Sequence, residues 1–132
     1  MLRKLTIAAA AAACALVVAE PAAAQTAELD VLSPAKRKAG SVIVQVAYRC
    51  DPGLQPLEAH ITVSQDEQRI SGQAGLGSIV CDGATHVNTV RVTPFEGRFH
   101  RGEAFASAFL LLQDPSTGGT VSVSHAETIA VR

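Results

Sequence analysis

The stretch "SVIVQVAYRC", residues 41–50, decides the fold class. Val42, Val44, Val46, Tyr48 and Cys50 share one parity, while Gln45 and Arg49 fall on the other. Side chains of a strand alternate between two faces, so a period of two with valines on the apolar face predicts a half-buried β-strand. The pattern repeats in "LEAHITVSQ" (57–65), where Leu57, Ala59, Ile61 and Val63 alternate with Glu58, His60, Thr62 and Ser64. "HVNTVRVT" (86–93) carries Val87, Thr89, Val90 and Val92, and "TVSVSHAETIAVR" (120–132) closes the chain in the same style. "EAFASAFLLLQD" (103–114) is apolar on both parities from Phe105 to Leu112. That predicts a central strand covered on both sides, with a short buried helix as the alternative.

Turn-forming residues punctuate these runs at short intervals: "CDPGLQP" (50–56), "SQDEQ" (64–68), "CDGA" (81–84), "PFEGRFHRG" (94–102) and "DPSTGG" (114–119). Their Gly, Pro and Asp residues preset turn dihedrals or tolerate positive φ. With "AELDVLS" (27–33) as a first strand and weaker runs in "RISGQAG" (69–75) and "LGSIVC" (76–81), seven or eight short strands are expected. Such a count and spacing predict an antiparallel β-sandwich of immunoglobulin-like type, with a small closed β-barrel as the alternative. The antibody-domain pattern itself is missing, because the chain has no Trp.

The amino-terminal segment sets the expected compartment. Arg3 and Lys4 precede an uncharged apolar run from Leu5 to Ala19. At about 15 residues it falls short of the roughly 20 needed to span a bilayer as a helix. Ala22 and Ala24 then fit a signal-peptidase site. Residues 1–24 are read as a signal peptide and 25–132 as a single exported domain. Cys14 lies inside the apolar run without the large aliphatic residue wanted three places upstream, so it is read as part of the leader and not as a lipid anchor.

Loss of Arg3, Lys4 and Glu20 with the leader leaves nine basic and eleven acidic residues. An acidic balance without a basic face excludes an electrostatic case for nucleic acid. The one basic cluster, Lys36, Arg37 and Lys38 in "AKRKAG", reads as a solvated turn.

Two cysteines remain beyond the leader, Cys50 and Cys81. In a small exported chain an isolated pair predicts a disulfide. Closing the intervening loop restricts the unfolded chain and stabilises the fold by about 3.7 kcal/mol on the chain-entropy scale. A bridged Cys81 cannot act as the thiolate nucleophile that His86, in the same stretch "SIVCDGATH" (78–86), would otherwise activate.

The residues "AYRCDPG" (47–53), "GLGSIVCDGATH" (75–86) and "FHRGEAFASAFLL" (99–111) resemble a pattern found in small exported actinobacterial domains of a family of unknown function. The resemblance runs from Val42 to Arg132, and its most recognisable parts are Y-R-C and V-C-D-G-x-x-H. It implies a secreted single domain with a Cys50–Cys81 bridge, and it brings no activity to carry over.

No catalytic constellation stands out. A serine nucleophile would want a G-x-S-x-G elbow, which the chain lacks. The four histidines, His60, His86, His100 and His125, show neither H-x-H nor H-E-x-x-H spacing, so no local geometry sets a metal site. The acids concentrate in turns such as Asp51, Asp66, Asp82 and Asp114, where turn formation explains them without a glycosidase pair. No catalytic residue, metal or cofactor is assigned. Recognition has one candidate: "TPFEGRFHRGE" (93–103) gathers Phe95, Arg98, Phe99, His100 and Arg101 on one loop, and aromatic and Arg side chains are common anchors of protein contacts. The alternative is that Phe95 or Phe99 plugs the end of the sandwich while the charges solubilise the loop.

The sequence therefore points to a secreted or cell-wall-associated, non-enzymatic binding module. Its partner would be a protein or an envelope component, with no membrane anchor once the leader is removed. A small inhibitor of an extracellular hydrolase, presenting loop 93–103, is the second expectation.

Overall fold

A computed structural model describes residues 25–132. The signal-peptide reading of residues 1–24, with Cys14, lies outside the described residues. The described chain is all β: β1 (Ala27–Lys38), β2 (Ser41–Cys50), β3 (Gln55–Gln65), β4 (Ile70–Gly75), β5 (His86–Val92), β6 (Gly102–Gln113) and β7 (Thr120–Val131). Among the described residues no helix is long and apolar enough to cross a membrane.

The strands hydrogen-bond in the order β4-β3-β6-β7-β1-β2-β5. Every neighbouring pair is antiparallel except β1 and β7, which run parallel and meet at Ala35 and Val131. Strand twist accumulates across seven strands and curls the sheet into a half-barrel around its apolar face. The two outermost strands approach each other at a single bridge, Gly72 with Pro94, where the Phe95 N–H donates to the Ser71 carbonyl at 2.8 Å.

The period-two patterns account for the core. Val42, Val44, Val46, Tyr48 and Cys50 all turn inward from β2, meeting Ile61 and Val63 of β3, Leu110 and Leu112 of β6, and Ile129 and Val131 of β7. Burying each such aliphatic side chain contributes roughly 1.5–3 kcal/mol.

Four expectations are corrected. "LGSIVC" is not an eighth strand: residues 76–85 are irregular. Side chains of the adjoining strands replace the ladder there. Asn88 Nδ2 donates to the Leu76 and Ser78 carbonyls at 2.9 and 2.8 Å, and the Tyr48 hydroxyl accepts from the Val80 N–H at 2.9 Å. Lys36, Arg37 and Lys38 are not a turn but the exposed end of β1; the turn is Ala39–Gly40, both at positive φ. Leu57 is 53% exposed, because the β3–β6 register shifts between Pro56 and Glu58 and removes it from the inward set. β6 is a central strand, but only its Ala104, Ala106, Ala108, Leu110 and Leu112 face is buried. The opposite face leaves Phe105 50% exposed, so the apolar residues on both parities did not mean cover on both sides.

Candidate functional site

Loop 93–103 leaves β5, crosses the mouth of the half-barrel and enters β6. Its first fixed point is a close approach: a Cβ on Gly72 would lie 2.3 Å from the Thr93 carbonyl oxygen, so only glycine lets β4 pass. The second is Phe99, which is 2% exposed and belongs to the core, while its N–H donates to the Gly40 carbonyl at 2.9 Å. This burial withdraws Phe99 from the candidate recognition surface and makes it the plug of the sheet's end. Arg98 lies over Gly40, where its Cγ would be 3.4 Å from an added Cβ.

The third fixed point is Gln65, the last residue of β3, which continues the inward parity of Ile61 and Val63 and is buried. Its Oε1 accepts from the His100 N–H at 2.9 Å, and its Nε2 donates to the carbonyls of His100 at 2.8 Å and Glu103 at 3.2 Å. A buried amide is costly unless its groups are paired, and here the pairing is complete on both of its ends.

Beyond Gln65 the β3–β4 turn takes an unusual course, with Asp66, Glu67 and Gln68 all at positive φ. Left-handed backbone disfavours non-glycine residues, and contacts around the turn hold it. The Asp66 carbonyl accepts from the Arg69 N–H at 3.1 Å, and the Asp66 carboxylate accepts from His100 Nε2 at 3.0 Å. His100 Nδ1 reaches the Arg101 carbonyl at 3.0 Å. Only the doubly protonated imidazole can donate to both acceptors. The Arg101 carbonyl, followed by Asp66, therefore raises the His100 pKa above its ordinary value.

What remains at the surface is compact in chemistry. Phe95 is 71% exposed, and Arg98 and Arg101 of the same loop are exposed. A shallow cavity of about 330 Å³ adjoins the turn, lined by Ser64, Asp66, Gln68, Glu103, Phe105 and Thr128 among others. Of the five residues named from the sequence, three therefore present side chains outward, Phe99 is core, and His100 ties the loop to the turn. Gln65 and Asp66 were missed. The signal for Gln65 was a polar residue on an apolar parity.

The "SIVCDGATH" stretch is structural. Cys50 and Cys81 are bridged with 4.8 Å between α-carbons. Gly83 donates its N–H to the Cys50 carbonyl at 2.9 Å, and its own carbonyl accepts from Arg49 Nε at 2.8 Å. The Asp82 carboxylate accepts from the Ala84 N–H and pairs with His86, both at 2.9 Å, and these contacts hold its pKa below the ordinary carboxylate value. The remaining imidazoles also have carboxylate partners: His60 with Glu58, and His125 with Glu127 and Asp30. Among the described residues, none of the four histidines hydrogen-bonds a hydroxyl or thiol.

A family model described as "Family of unknown function (DUF6299)" matches residues 26–129. The chain belongs to this family. The matched span of the DUF6299 domain covers all of β1 to β6 and nearly all of β7, and so includes Cys50, Cys81 and loop 93–103. No curated protein and no solved structure matches the chain.

Proposed function

We propose that this DUF6299 chain is an exported, non-catalytic binding module that engages a protein or cell-envelope partner through loop 93–103. Phe95, Arg98 and Arg101 are its contact residues; Phe99, His100 and Gln65 hold them in place. The observation that carries this proposal is Phe95, a large aromatic side chain 71% exposed on a loop whose backbone is gripped by a buried amide. A loop held in one conformation loses little freedom on binding, which favours affinity. Export is supported by the disulfide and by the charged, apolar and small-residue succession of residues 1–24. That none of the four imidazoles hydrogen-bonds a hydroxyl or thiol among the described residues supports a role without nucleophilic chemistry. An immunoglobulin-like arrangement is supported by β1, which pairs with β2 along most of its length and with β7 at Ala35, so that β1-β2-β5 and β4-β3-β6-β7 face each other over one core.

The test is capture from the native secretome and envelope fraction by the immobilised oxidised chain, beside Phe95→Ala and the Arg98→Ala/Arg101→Ala pair. A partner retained by the parent chain and lost with either variant supports the proposal. Equal retention by all three removes loop 93–103 from it. The same rigid loop favours a second function, inhibition of an extracellular hydrolase in substrate-like fashion. Inhibition of a serine or metalloprotease that weakens with Arg98→Ala or Arg101→Ala would support that; no inhibition in either class would end it.

A further inference from the structure

β1 and β7 are in register only at Ala35 and Val131. Towards the start of both strands they part, and side chains meet across the gap. His125 and Glu127 are two residues apart on β7, so period two puts them on one face of the strand. His125 Nε2 lies within hydrogen-bond distance of Glu127 Oε1 and 3.2 Å from Asp30 Oδ1 of β1. The three ligand-capable atoms all lie within 4.8 Å of one another.

Two carboxylates thus converge on one imidazole nitrogen, which can offer a single proton between them. Among the described residues neither Asp30 nor Glu127 has a Lys or Arg within ion-pair distance. Arg49 shares a cavity with Asp30 and His125, but its guanidinium is committed to the Gly83 carbonyl at 2.8 Å and to Asp51 at 3.9 Å. Negative charge at this point is therefore undercompensated, and the donors that face it are those a borderline divalent cation takes. A zinc ion about 2.0–2.2 Å from each donor needs its ligands about 3.4 Å apart, a separation that side-chain torsions can reach from this arrangement. An adjoining cavity of about 500 Å³, lined by Glu28, Tyr48 and Thr85 among others, leaves room for water in an open coordination position.

We propose that Asp30, His125 and Glu127 form a binding site for a divalent cation of the zinc class, which ties the amino-terminal half of β1 to β7 across the gap between them. The signal in sequence was an H-x-E pair on a strand, with its third ligand supplied by a strand distant in the chain.

The experiment is zinc titration calorimetry on the full oxidised chain carrying Cys14→Ser, so that no free thiol competes. One zinc per chain is expected. His125→Ala, Asp30→Asn and Glu127→Gln should each weaken binding by at least about tenfold, a loss of the size that perturbing a metal site brings. His86→Ala, which removes a different His–carboxylate pair, should leave binding unchanged. No zinc uptake, or uptake that survives both His125→Ala and Asp30→Asn, overturns the site. Paramagnetic broadening by Co²⁺ in the NMR spectrum of the parent chain needs no ligand variant. Broadening centred on Asp30 and His125 supports the site, and broadening centred elsewhere rejects it.

Discussion

The side-chain amide of Gln65 grips the backbone of His100 on both sides, accepting from its N–H at 2.9 Å and donating to its carbonyl at 2.8 Å. A single residue at the end of β3 thereby fixes the loop that crosses the mouth of the half-barrel. Gln65→Leu preserves volume and leaves these part-buried backbone groups without their side-chain partner. The expected loss of stability is about 2–3 kcal/mol, read from the midpoint of urea unfolding. Amide exchange at His100 should accelerate more than exchange in β2. A variant with unchanged stability and exchange would show the grip to be dispensable.

Gly72 and Gly75 lie on the same strand but predict opposite outcomes on replacement by alanine. At Gly72 the new methyl would stand 2.3 Å from the Thr93 carbonyl oxygen, whereas at Gly75 the nearest atom is 3.8 Å away. Gly72→Ala should destabilise by more than about 2 kcal/mol, since backbone must move to admit it. Gly75→Ala should be neutral or slightly stabilising, by the ordinary gain from restricting the unfolded chain. Thermal unfolding of the two variants side by side decides the matter.

The Cys50–Cys81 bridge closes a long loop in a chain with a modest core. Its removal by Cys50→Ala/Cys81→Ala should cost roughly 3–4 kcal/mol. For a domain of this size that corresponds to a fall in Tm of about 15–25 °C. Differential scanning calorimetry of the parent and double variant gives the comparison, and coincident transitions would refute the assignment of stability to the bridge.

His100 makes the loop attachment depend on pH. Contacts with the Arg101 carbonyl and Asp66 favour the charged imidazole and raise its pKa in the folded state. Its contribution is therefore complete below the unfolded-state value and disappears as pH rises through the raised folded value. NMR titration of the His100 ring should give a midpoint above the ordinary value of about 6.5. Asp66→Asn should bring that midpoint down. Exchange at residues 98–101 should quicken on the alkaline side of the transition.

Where neighbours in sequence carried the signal, it could be read directly. The alternation of Val42, Val44, Val46, Tyr48 and Cys50 was a sufficient sign of β2, because strand geometry turns parity into burial. The cysteine pair was equally legible, since only two cysteines follow residue 24. The same local rule misled at Leu57, where a register shift broke the parity, and at "LGSIVC", where Asn88 and Tyr48 stand in for a neighbouring strand. Local pattern cannot show which partners a segment will meet.

Loop 93–103 illustrates the division most clearly. Its aromatic and basic content marked it in the sequence, but Phe95 and Phe99 looked alike there. Curling of the sheet buries Phe99 beside Gly40 and leaves Phe95 in solvent. Gln65, Asp66 and His100 meet because two connections converge at one end of the half-barrel. Asp30 meets His125 and Glu127 because β1 and β7 become neighbours across 95 residues of chain. Sequence alone determined an all-β chain, its disulfide and most of its inward-facing residues, through periodicity and cysteine count. Which side chains share a site was decided only by the order and curl of the strands, since contacts distant in the chain exist once strands pair and the sheet closes over its apolar face.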